Sequence, residues 1–336
     1  MKKSNPRFDV TIAGELNADL ILYGVPEELP PERELLVRGM MLTLGGSSAI
    51  VAHNLAALGS RVGFQSRIGS DAFGQIVLDM VAHGGVDVSR MRRNPAASAS
   101  SGDGARPAAP IGTGLTVIMQ REAWRNMVTY SGTIAELSPQ DLDLEYLADS
   151  RHFHFSSFFL QTGLQAQVAE LFRKLKAAGL SISLDTNDDP DDRWDNGLLE
   201  VLQHVDVFFP NSREARRITG EEEVEAAVKR LAEMVPLVVV KLGAEGALAQ
   251  RGRERFACPG VKVDFVDAVG AGDSFDAGFL HQYVRGADLP ACLASGNLAG
   301  ALSTTRPGGT EAFRDQRWRE EFFRQHGSLV TPQPAR

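Results

Sequence analysis

A turn of small residues directly precedes a carboxylate in the segment Asp267-Ala268-Val269-Gly270-Ala271-Gly272-Asp273-Ser274-Phe275, and a helix-like run from Phe275 to Val284 follows. Small residues at 270–272 leave backbone N–H groups bare, and a helix start favours negative charge, so the segment is suited to hold an anion. Asp273 makes chemical sense beside a bound phosphate if it takes a proton from a hydroxyl that attacks the phosphate. The alternative is that Asp273 only caps the helix.

Other phosphate-binding and hydrolytic motifs are missing from the sequence. No Gly-x-x-x-x-Gly-Lys-Ser/Thr occurs, and the Gly-Ala-Gly at 270–272 lacks the third glycine of a dinucleotide fingerprint. Neither Gly-x-Ser-x-Gly nor His-Glu-x-x-His is found. The sequence therefore disfavours a P-loop protein and a NAD-dependent dehydrogenase.

The composition is that of an ordinary folded protein. The 336 residues suffice for one large α/β domain with an appendage, or for two modest domains. Hydrophobic residues make up 43% and charged residues 23%, which excludes disordered and fibrous classes. The formal net charge of -8 argues against a nucleic-acid partner, because phosphate backbones select basic surfaces. ATP is not excluded, since local geometry and magnesium bind it.

The cysteines and the apolar runs indicate the compartment. Cys258 and Cys292 lie far apart in the sequence, so neither a zinc ribbon nor a disulfide framework is expected. The basic start leads straight into the strand-like run Phe8–Ile12, and no apolar run approaches a membrane span. The sequence predicts a cytoplasmic protein with reduced thiols and no membrane partner.

Short apolar runs alternate with amphipathic segments along most of the chain. The predicted strands are Phe8–Ile12, Arg61–Ile68, Arg151–Phe155, Ser181–Leu184, Val205–Phe209 and Leu237–Lys241. The predicted helices include Ser47–Leu58, Ala72–His83, Gln165–Ala178 and Glu222–Met234. Such short strands can bury both faces only in a sheet that helices cover on both sides. The predicted fold class is therefore α/β, with a central, mostly parallel sheet.

Two stretches interrupt this alternation. Pro26–Gly39 is rich in Pro and Glu and leads to an exposed strand, while Thr113–Gln120 and Asn126–Tyr130 predict two strands joined by a polar turn. They are predicted to form a small sheet that stands off the main body. Its function would be that of a lid, and an ordinary surface hairpin is the equal alternative. Asn94–Pro110, a low-complexity segment, predicts a mobile loop.

Residues 267–275 resemble the second signature of the ribokinase-like (PfkB) carbohydrate kinases, Asp-Thr-x-Gly-Ala-Gly-Asp-x-Phe. The resemblance implies that Asp273 is the catalytic base. It also implies that the turn Gly270-Ala271-Gly272 forms an anion hole for the transferring phosphoryl group. Asp267 matches as well; in many members this residue helps to hold a monovalent cation, so K⁺ is an implied cofactor.

The resemblance extends to the substrate site. Asn17-Ala18-Asp19 is similar to the family's Asn-x-Asp, whose Asp binds substrate hydroxyls, a strong contact for an ionised carboxylate. Gly45-Gly46 matches the family's Gly-Gly, where the lid hinges and the substrate is approached closely. Ile50 stands where the family often has an Asn that bonds a sugar hydroxyl. This departure implies a substrate that lacks one hydroxyl, is less polar or is oriented differently.

The resemblance also covers the nucleotide. Asn211-x-x-Glu214 matches the family's Asn-x-x-Glu, which is linked to magnesium and phosphate, and its spacing puts both residues on one helical face. Further matches lie in the strand and turn that line the nucleotide, on the helix that flanks the adenine, and in the loop that closes the pocket. These residues are Lys241, Gly243 and Gly246, then Asn297, then Gly308.

Together these matches predict a ribokinase-like kinase domain over about residues 1–330, lid segments at roughly 20–44 and 94–131, and a tail at 331–336. The implied function is transfer of the γ-phosphate of Mg-ATP to a hydroxyl of a small carbohydrate, with ATP, Mg²⁺ and K⁺ bound. Similar proteins often dimerise through lid sheets, so a homodimer through the lid is expected. A nucleoside kinase of the same fold and a non-catalytic sensor are the alternatives; aromatic residues such as Phe64 and Phe158 in the cleft would favour the nucleoside.

Overall fold

The protein's structure, a computed structural model, describes residues 5–95, 111–121, 124–327 and 330–335. The strands are β1 (Phe8–Ala13), β2 (Asn17–Tyr23), β3 (Gly39–Gly45), β4 (Val62–Gln65), β5 (Arg67–Ile68), β6 (Arg92–Arg93), β7 (Leu115–Gln120), β8 (Arg125–Tyr130), β9 (Ser150–Ser156), β10 (Ser181–Asp185), β11 (Val207–Phe208), β12 (Leu237–Lys241), β13 (Gly246–Arg251), β14 (Glu254–Pro259) and β15 (Gln333–Pro334). The α-helices are α1 (Ser47–Ala57), α2 (Ala72–His83), α3 (Leu144–Leu147), α4 (Thr162–Gln165), α5 (Val168–Ala177), α6 (Leu198–Leu202), α7 (Ser212–Thr219), α8 (Val224–Ala232), α9 (Ala271–Tyr283), α10 (Leu289–Ser303), α11 (Glu311–Arg314) and α12 (Gln316–His326).

A nine-stranded sheet lies at the centre of the molecule, in the order β15-β14-β13-β12-β11-β10-β9-β1-β4. The strands from β12 to β4 in this order are parallel, and β13, β14 and β15 add antiparallel pairs at the other edge. Alternate residues of β12 enter different apolar cores: Leu237 and Val239 belong to one, Val238 and Val240 to the other. Both faces are therefore buried, as a parallel sheet requires, and the predicted α/β class is confirmed.

Some predicted elements match the structure and others are divided. The strand Leu237–Lys241 and the helix Ala72–His83 have the predicted bounds. The run Arg61–Ile68 is split, because β4 stays in the central sheet whereas β5 pairs with β6 in a separate two-stranded sheet. The predicted helix Gln165–Ala178 corresponds to α5 (Val168–Ala177), which begins three residues later, and Gln165 is instead the last residue of the separate helix α4.

A second, four-stranded sheet has the order β3-β2-β7-β8. The predicted pair of strands at 113–120 and 126–130 forms β7 and β8, which pair antiparallel. β2 pairs with β3 and β7, so that Asp19 lies beside Thr43 on one side and Thr116 on the other. We call this element the small sheet. The predicted mobile loop lies largely at 96–110, outside the described residues.

The carboxyl ends of the parallel strands meet at one edge of the central sheet. Ala13, Ser156, Asp185 and Lys241 are the last residues of β1, β9, β10 and β12. In open α/β sheets, ligands bind outside this edge. The chain passes directly from β1 to the small sheet, so the small sheet lies at this edge. The start of α9 lies at the same edge.

Two further predictions concern the chain end and the membrane. Residues 333–334 of the predicted tail form β15, which pairs with β14. None of the described helices has the length and apolar character needed to cross a bilayer.

Candidate active site

The glycine turn is held in the geometry that the sequence suggested. Gly270 has a φ of 69°, in the left-handed region, and directly precedes the first residue of α9. Ala271, Gly272 and Asp273 therefore form the first helical turn. The N–H of Ala271 donates to the Ala268 carbonyl oxygen at 3.3 Å, whereas the N–H groups of Gly272 and Asp273 have no backbone partner one turn back in the described residues. Because α9 has no side-chain cap hydrogen bond and Asp273 is its third residue, the capping alternative for Asp273 does not hold.

Asp273 is buried, and its surroundings adjust its acidity. Burial raises the pKa of Asp273 to about 6, and the nearby charge of Asp185 acts in the same direction. Lys241 and hydrogen bonds to Ser47 and Asn187 oppose this shift. A carboxylate with a pKa just below neutrality is ionised at pH 7 and still accepts a proton readily, as a general base must.

The residues expected to bind substrate lie together at the start of β2 and the end of β3. Asn17 Nδ2 donates to Asp19 Oδ1 over 3.0 Å, and Asp19 is buried. Burial, followed by the charge of Asp273, raises the pKa of Asp19 to about 7. A Cβ on Gly45 would collide with the Asp19 carboxylate, and one on Gly46 would lie 2.7 Å from Asn17 Oδ1. Both glycines are therefore required by these two polar side chains.

Glu15 is a buried carboxylate at this edge that the sequence analysis missed. Its two oxygens accept hydrogen bonds from the backbone N–H and the hydroxyl of Ser48, from Ser157 Oγ and from Gln161 Nε2, at 2.7 to 3.2 Å. Burial nevertheless raises its pKa to about 7. Glu15 thus connects the end of β1 to the start of α1 and to the loop after β9. A single Glu after a strand gave no signal of this role.

Lys241 lies in a buried group of charges. Its Nζ contacts Asp185 Oδ2 at 2.5 Å and Asp276 Oδ1 at 3.4 Å. Burial alone would raise the pKa of Asp185, but Lys241 and a hydrogen bond with Asp276 outweigh it and lower that pKa. Burial raises the pKa of Asp276 well above its usual range. Burial therefore favours the protonated form of Asp276, which lies one helical turn after Asp273.

Asn211 and Glu214 form a reciprocal cap at the start of α7. Asn211 Oδ1 accepts from the N–H groups of Arg213 and Glu214, and Glu214 accepts from the Asn211 N–H and Nδ2. Glu214 is buried, and burial together with the Asp185 charge raises its pKa to about 7. The two residues share one helix start, and their side chains are bonded to each other.

A cleft of about 560 Å³ opens beside the first turn of α9. Small-molecule sites commonly span roughly 300–1,000 Å³. Its walls are mainly apolar or glycine, with Val261, Val263 and Phe265 on one side. The resemblance would place the nucleotide here, and we therefore call it the nucleotide cleft. The assigned residues that line it are Lys241, Gly243, Gly246, Ala271, Gly272 and Asn297.

Asn297 is buried rather than exposed on its helix. Its Nδ2 donates to the carbonyl oxygens of Cys258 and Pro259, at 2.9 and 3.0 Å. These bonds fix α10 against the end of β14, so Asn297 builds the floor of the cleft.

The remaining assigned residues lie on another side of the glycine turn, outside the lining of the nucleotide cleft. Gly308 donates its N–H to Asp267 Oδ2 at 3.2 Å, and Asp267 Oδ1 accepts from the Val269 N–H at 2.9 Å. Ile50 packs against Gly270 and against Gly309, where a Cβ would lie 2.8 Å from its Cδ1. Ile50 therefore supports the turn.

Asn54, one helical turn after Ile50, is fully occupied by the protein. Its Nδ2 donates to Ser274 Oγ and to the Gly309 carbonyl oxygen, both at 3.0 Å. Phe64 and Phe158 are fully buried in the two cores and do not line the cleft. The aromatic feature that would favour a nucleoside substrate is thus not provided by these two residues.

The residues assigned to metal ions lie in separate surroundings. Within the described parts of the chain, no group of three or more His, Cys, Asp or Glu side chains is arranged to hold a metal ion. Asp267 is bonded to two backbone N–H groups, and Glu214 lies in the α7 cap. Mg²⁺ at phosphate sites typically needs only one or two carboxylates besides water and phosphate oxygens. The buried Glu214, with Asp185 nearby, fits that requirement.

Comparisons with known proteins concern the family and the fold. The chain is 29% identical to the 2-dehydro-3-deoxygluconokinase of Bacillus subtilis (strain 168) over 279 residues, which cover 79% of this chain and 82% of the relative. An E. coli protein described as a ribokinase II is 25% identical, with a TM-score of 0.81 in its ligand-free form over 95% of this chain and 100% of that one. Its complex with ATP and Mg²⁺ gives a TM-score of 0.78 over the same shares. Residues 7–316 match the pfkB family of carbohydrate kinases, and the chain therefore belongs to that family.

Proposed function

We propose that the protein is an ATP-dependent sugar kinase, which transfers the γ-phosphate of Mg-ATP to a hydroxyl of a small carbohydrate with Asp273 as the base. One observation supports this above all others: the first turn of α9 adjoins two sites. Ala271 and Gly272 line the nucleotide cleft, whereas Asp273 acts electrostatically on Asp19 of the small sheet. A phosphoryl group passing from the cleft to a substrate at Asp19 would cross this turn.

The proposed chemistry assigns one step to each group. Asp19, held by Asn17, accepts hydrogen bonds from substrate hydroxyls and orients the attacking one. Asp273 takes the proton from that hydroxyl as its oxygen bonds to the γ-phosphorus and the bond to the leaving ADP oxygen breaks. The N–H groups at 270–272 stabilise the charge on the phosphoryl oxygens. The proton then rests on Asp273, whose pKa of about 6 allows its return to solvent at pH 7.

Magnesium belongs to this proposal through Glu214. When bound, the ion would neutralise charge on the β- and γ-phosphate oxygens. Glu214 is buried with a pKa near 7, so a nearby cation would favour its ionised form. Asn211 orients this carboxylate through the hydrogen bonds of the α7 cap.

A potassium site beside the glycine turn is proposed for Asp267. This residue is 1% exposed, and within the described residues it forms no salt bridge. A buried carboxylate is costly unless it is paired or hydrogen-bonded; Asp267 accepts from the N–H groups of Val269 and Gly308, and K⁺ would add a cation. The experiment is to compare turnover in K⁺ with turnover in choline at equal ionic strength; equal rates would remove the ion from the proposal.

The small sheet is proposed to act as the lid, with segments at roughly 20–44 and 94–131. One face carries Asp19, Thr116 and Thr129, and the hydroxyls of Thr116 and Thr129 lie 3.1 Å apart. On the same face, Ile21 and Ile118 pack against Val269 of the glycine turn. The sheet therefore covers the position at which the reaction would occur, and its closure would exclude water.

We also propose that about residues 1–330 form a single kinase domain. Two copies of this domain would associate through the other face of the small sheet. Met40 and Val128 lie on that face by strand alternation and are 65% and 60% exposed. Exposed apolar groups on a sheet favour self-association. Sedimentation of the wild type and of Val128→Lys tests this, since a dimer should become a monomer in the variant.

The deciding experiment is an ADP-release assay with pentoses, hexoses, keto-acid sugars and nucleosides, in the presence of Mg²⁺ and K⁺. ADP formation that requires one compound and is lost in Asp273→Asn supports the kinase and identifies its substrate class. ADP formation that depends only on nucleosides would move the proposal to a nucleoside kinase. If no compound elicits ADP while ATP still binds, either the substrate lies outside the panel or the protein is a sensor.

A further inference from the structure

A second group of ionisable side chains lies on the other side of α1. A cleft of about 740 Å³ is formed there by α1, α2, α11 and α12, and it shares no lining residue with the nucleotide cleft in the described part of the chain. Its ionisable side chains are His53, Asp79, His83, Arg314 and Arg319. We call it the α2–α12 cleft. The mechanism above uses none of these residues.

Arg319 is a cation of this cleft that forms no salt bridge within the described residues. It is partly buried, and burial lowers its pKa more than the nearby charges of Glu320 and Asp315 raise it. Within the described residues its guanidinium donates only to the Phe313 carbonyl oxygen and forms no salt bridge. Arg314, by contrast, is paired with Glu311 at 2.9 Å. A guanidinium with unused donors in a cleft is suited to bind an oxyanion.

His53 supplies an unused acceptor to the same cleft. It is 2% exposed, and its Nδ1 lies 2.9 Å from Asn54 Oδ1. Because Asn54 Nδ2 donates to the carbonyl oxygen of Gly309, its Oδ1 must be the acceptor, and His53 Nδ1 must carry the hydrogen. Nε2 then bears a lone pair, and within the described residues it has no partner.

The charge of His53 is fixed by its surroundings. Burial, with smaller effects of Arg314 and Arg319, lowers the pKa of His53 to about 4. The ring is therefore neutral at pH 7, and Nε2 remains an acceptor. A ligand at this position must offer an O–H or N–H group to Nε2 and negative charge to Arg319. Asp79, whose carboxylate accepts a hydrogen bond from Gln75 Nε2 at 2.7 Å, is the negatively charged residue that lines the cleft. Its charge limits how much negative charge a ligand bound in the cleft can carry.

We propose that the α2–α12 cleft binds a small phosphoryl oxyanion that also carries an O–H donor, with Arg319 binding the oxyanion and His53 Nε2 accepting the hydroxyl hydrogen. Two sources provide this chemistry: inorganic phosphate, which keeps at least one P–OH at neutral pH, and a hydroxyl-bearing phosphate monoester. Sulfate has the same shape but no O–H group at neutral pH. It can therefore contact Arg319 but cannot donate to His53 Nε2, so a comparison with phosphate tests the two contacts separately.

The cleft is joined to the glycine turn by a short chain of hydrogen bonds. His53 is bonded to Asn54, which is bonded in turn to Ser274 Oγ and to the Gly309 carbonyl oxygen. Ser274 Oγ donates to the Gly270 carbonyl oxygen at 2.7 Å. A ligand on His53 Nε2 therefore acts on residues that hold the turn beside the nucleotide cleft, and its binding and that of a nucleotide should influence each other.

The test is calorimetric titration of the full chain, saturated with a non-hydrolysable ATP analogue and Mg²⁺ so that the glycine turn is occupied. Inorganic phosphate, sulfate and glucose 6-phosphate are titrated in turn. The variants are Arg319→Gln and, as a matched control on the same helix, Arg324→Gln, whose side chain is 71% exposed and paired with Glu321. Loss of a charged hydrogen bond should weaken phosphate binding about tenfold or more in Arg319→Gln, with no change in Arg324→Gln.

Sulfate should bind the wild type about tenfold more weakly than phosphate, a comparison that needs no variant and holds if Arg319→Gln fails to fold. Tighter binding of glucose 6-phosphate identifies a monoester as the ligand, and tighter binding of phosphate identifies the free ion. The site is refuted if neither phosphate compound binds, if sulfate equals phosphate, or if a folded Arg319→Gln binds as the wild type does. Nucleotide affinity that phosphate leaves unchanged in the wild type refutes the coupling. The phosphate and sulfate outcomes do not depend on the sugar substrate, and glucose 6-phosphate is assigned to this cleft only if Arg319→Gln weakens its binding.

Discussion

Gly270 and Gly309 approach each other so closely that a Cβ on Gly270 would lie 2.5 Å from the Gly309 Cα. The turn that adjoins the nucleotide cleft is thus fixed by the contact of two glycines, with Ile50 packed against both. Gly270 needs a left-handed φ and also lies in close contact with Gly309. A substitution at this position should therefore be less tolerated than one at a glycine that needs only the left-handed φ.

Gly270→Ala should therefore reduce the rate of ADP release by more than its loss of folding stability can explain. The left-handed φ costs an alanine about 1–2 kcal/mol, and the contact must in addition displace the turn. Gly220→Ala is the matched control, because Gly220 has a φ of 75° with no atom within 4 Å of a Cβ. Urea unfolding and ADP release are measured for both. Similar loss of stability with full turnover in both variants would contradict the restrictive role of the contact.

Asp273→Asn should fold and lose about 10²–10⁴-fold in turnover, the usual contribution of a general base. Its stability should be unchanged or higher, because a buried carboxylate is replaced by a neutral amide. In the wild type, kcat/KM should rise with pH through about 6, since the base must be ionised and burial raises the pKa of Asp273 to that value. Initial rates between pH 5 and 8 measure this; a flat profile would argue against Asp273 as the base.

Removing Lys241 should be far more damaging than removing one of its partners. Lys241→Met leaves the buried Asp185 without its cation, which typically costs about 3–5 kcal/mol. Asp276→Asn should cost much less, because burial raises the pKa of Asp276 and so favours a neutral side chain at this position. Urea unfolding at pH 7 compares the two variants. Equal losses would mean that Asp276 is ionised in the folded protein.

Two buried histidines should make the protein sensitive to acid. His152 and His154 are linked through Ser183 Oγ by bonds of 2.7 Å. Burial lowers the pKa of each to about 3, whereas an unfolded histidine titrates near 6.5. Between these values the unfolded chain binds protons that the folded chain does not, so each histidine lowers stability as pH falls below about 6.5.

Replacing one histidine should reduce this dependence. Between pH 6 and 4, His154→Gln should decrease the slope of unfolding free energy against pH by up to about 1.4 kcal/mol per unit. Glu15 and Asp19, whose pKa values are raised to about 7, oppose the histidines in both proteins and cancel in the comparison. Urea unfolding at several pH values gives both slopes; parallel curves would show that His154 is protonated in the folded protein.

The sequence predicted the parts of the site that lie close together in the chain. The glycine turn and Asp273 share one segment, and Asn17 and Asp19 another, so each pair could be matched to a short family motif that implied a joint role. The large sheet was equally accessible, because strands such as Leu237–Lys241 are short and apolar up to their last residue, and this strand follows a helical pattern.

What sequence reasoning missed depends on tertiary contacts. Glu15 and Asp185 are acidic residues at strand ends, a position shared by many solvated carboxylates, and only the assembled sheet buries them. Asp276 follows Asp273 by one turn, a spacing that could have suggested a shared face. Lys241 was assigned to the nucleotide, and it does line the cleft, but its pairing with two carboxylates joins residues 56 and 35 positions apart.

The contact between the small sheet and the glycine turn has a kinetic consequence. Ile21, Ile118 and Val269 form an apolar cluster apart from the two large cores. Full burial of one such side chain contributes about 1.5–3 kcal/mol, so the cluster can hold the sheet in place but can also separate readily. The lifetime of this contact would then limit how long a molecule stays beneath the sheet. Val269 would thus set residence times at the site as well as supporting the turn.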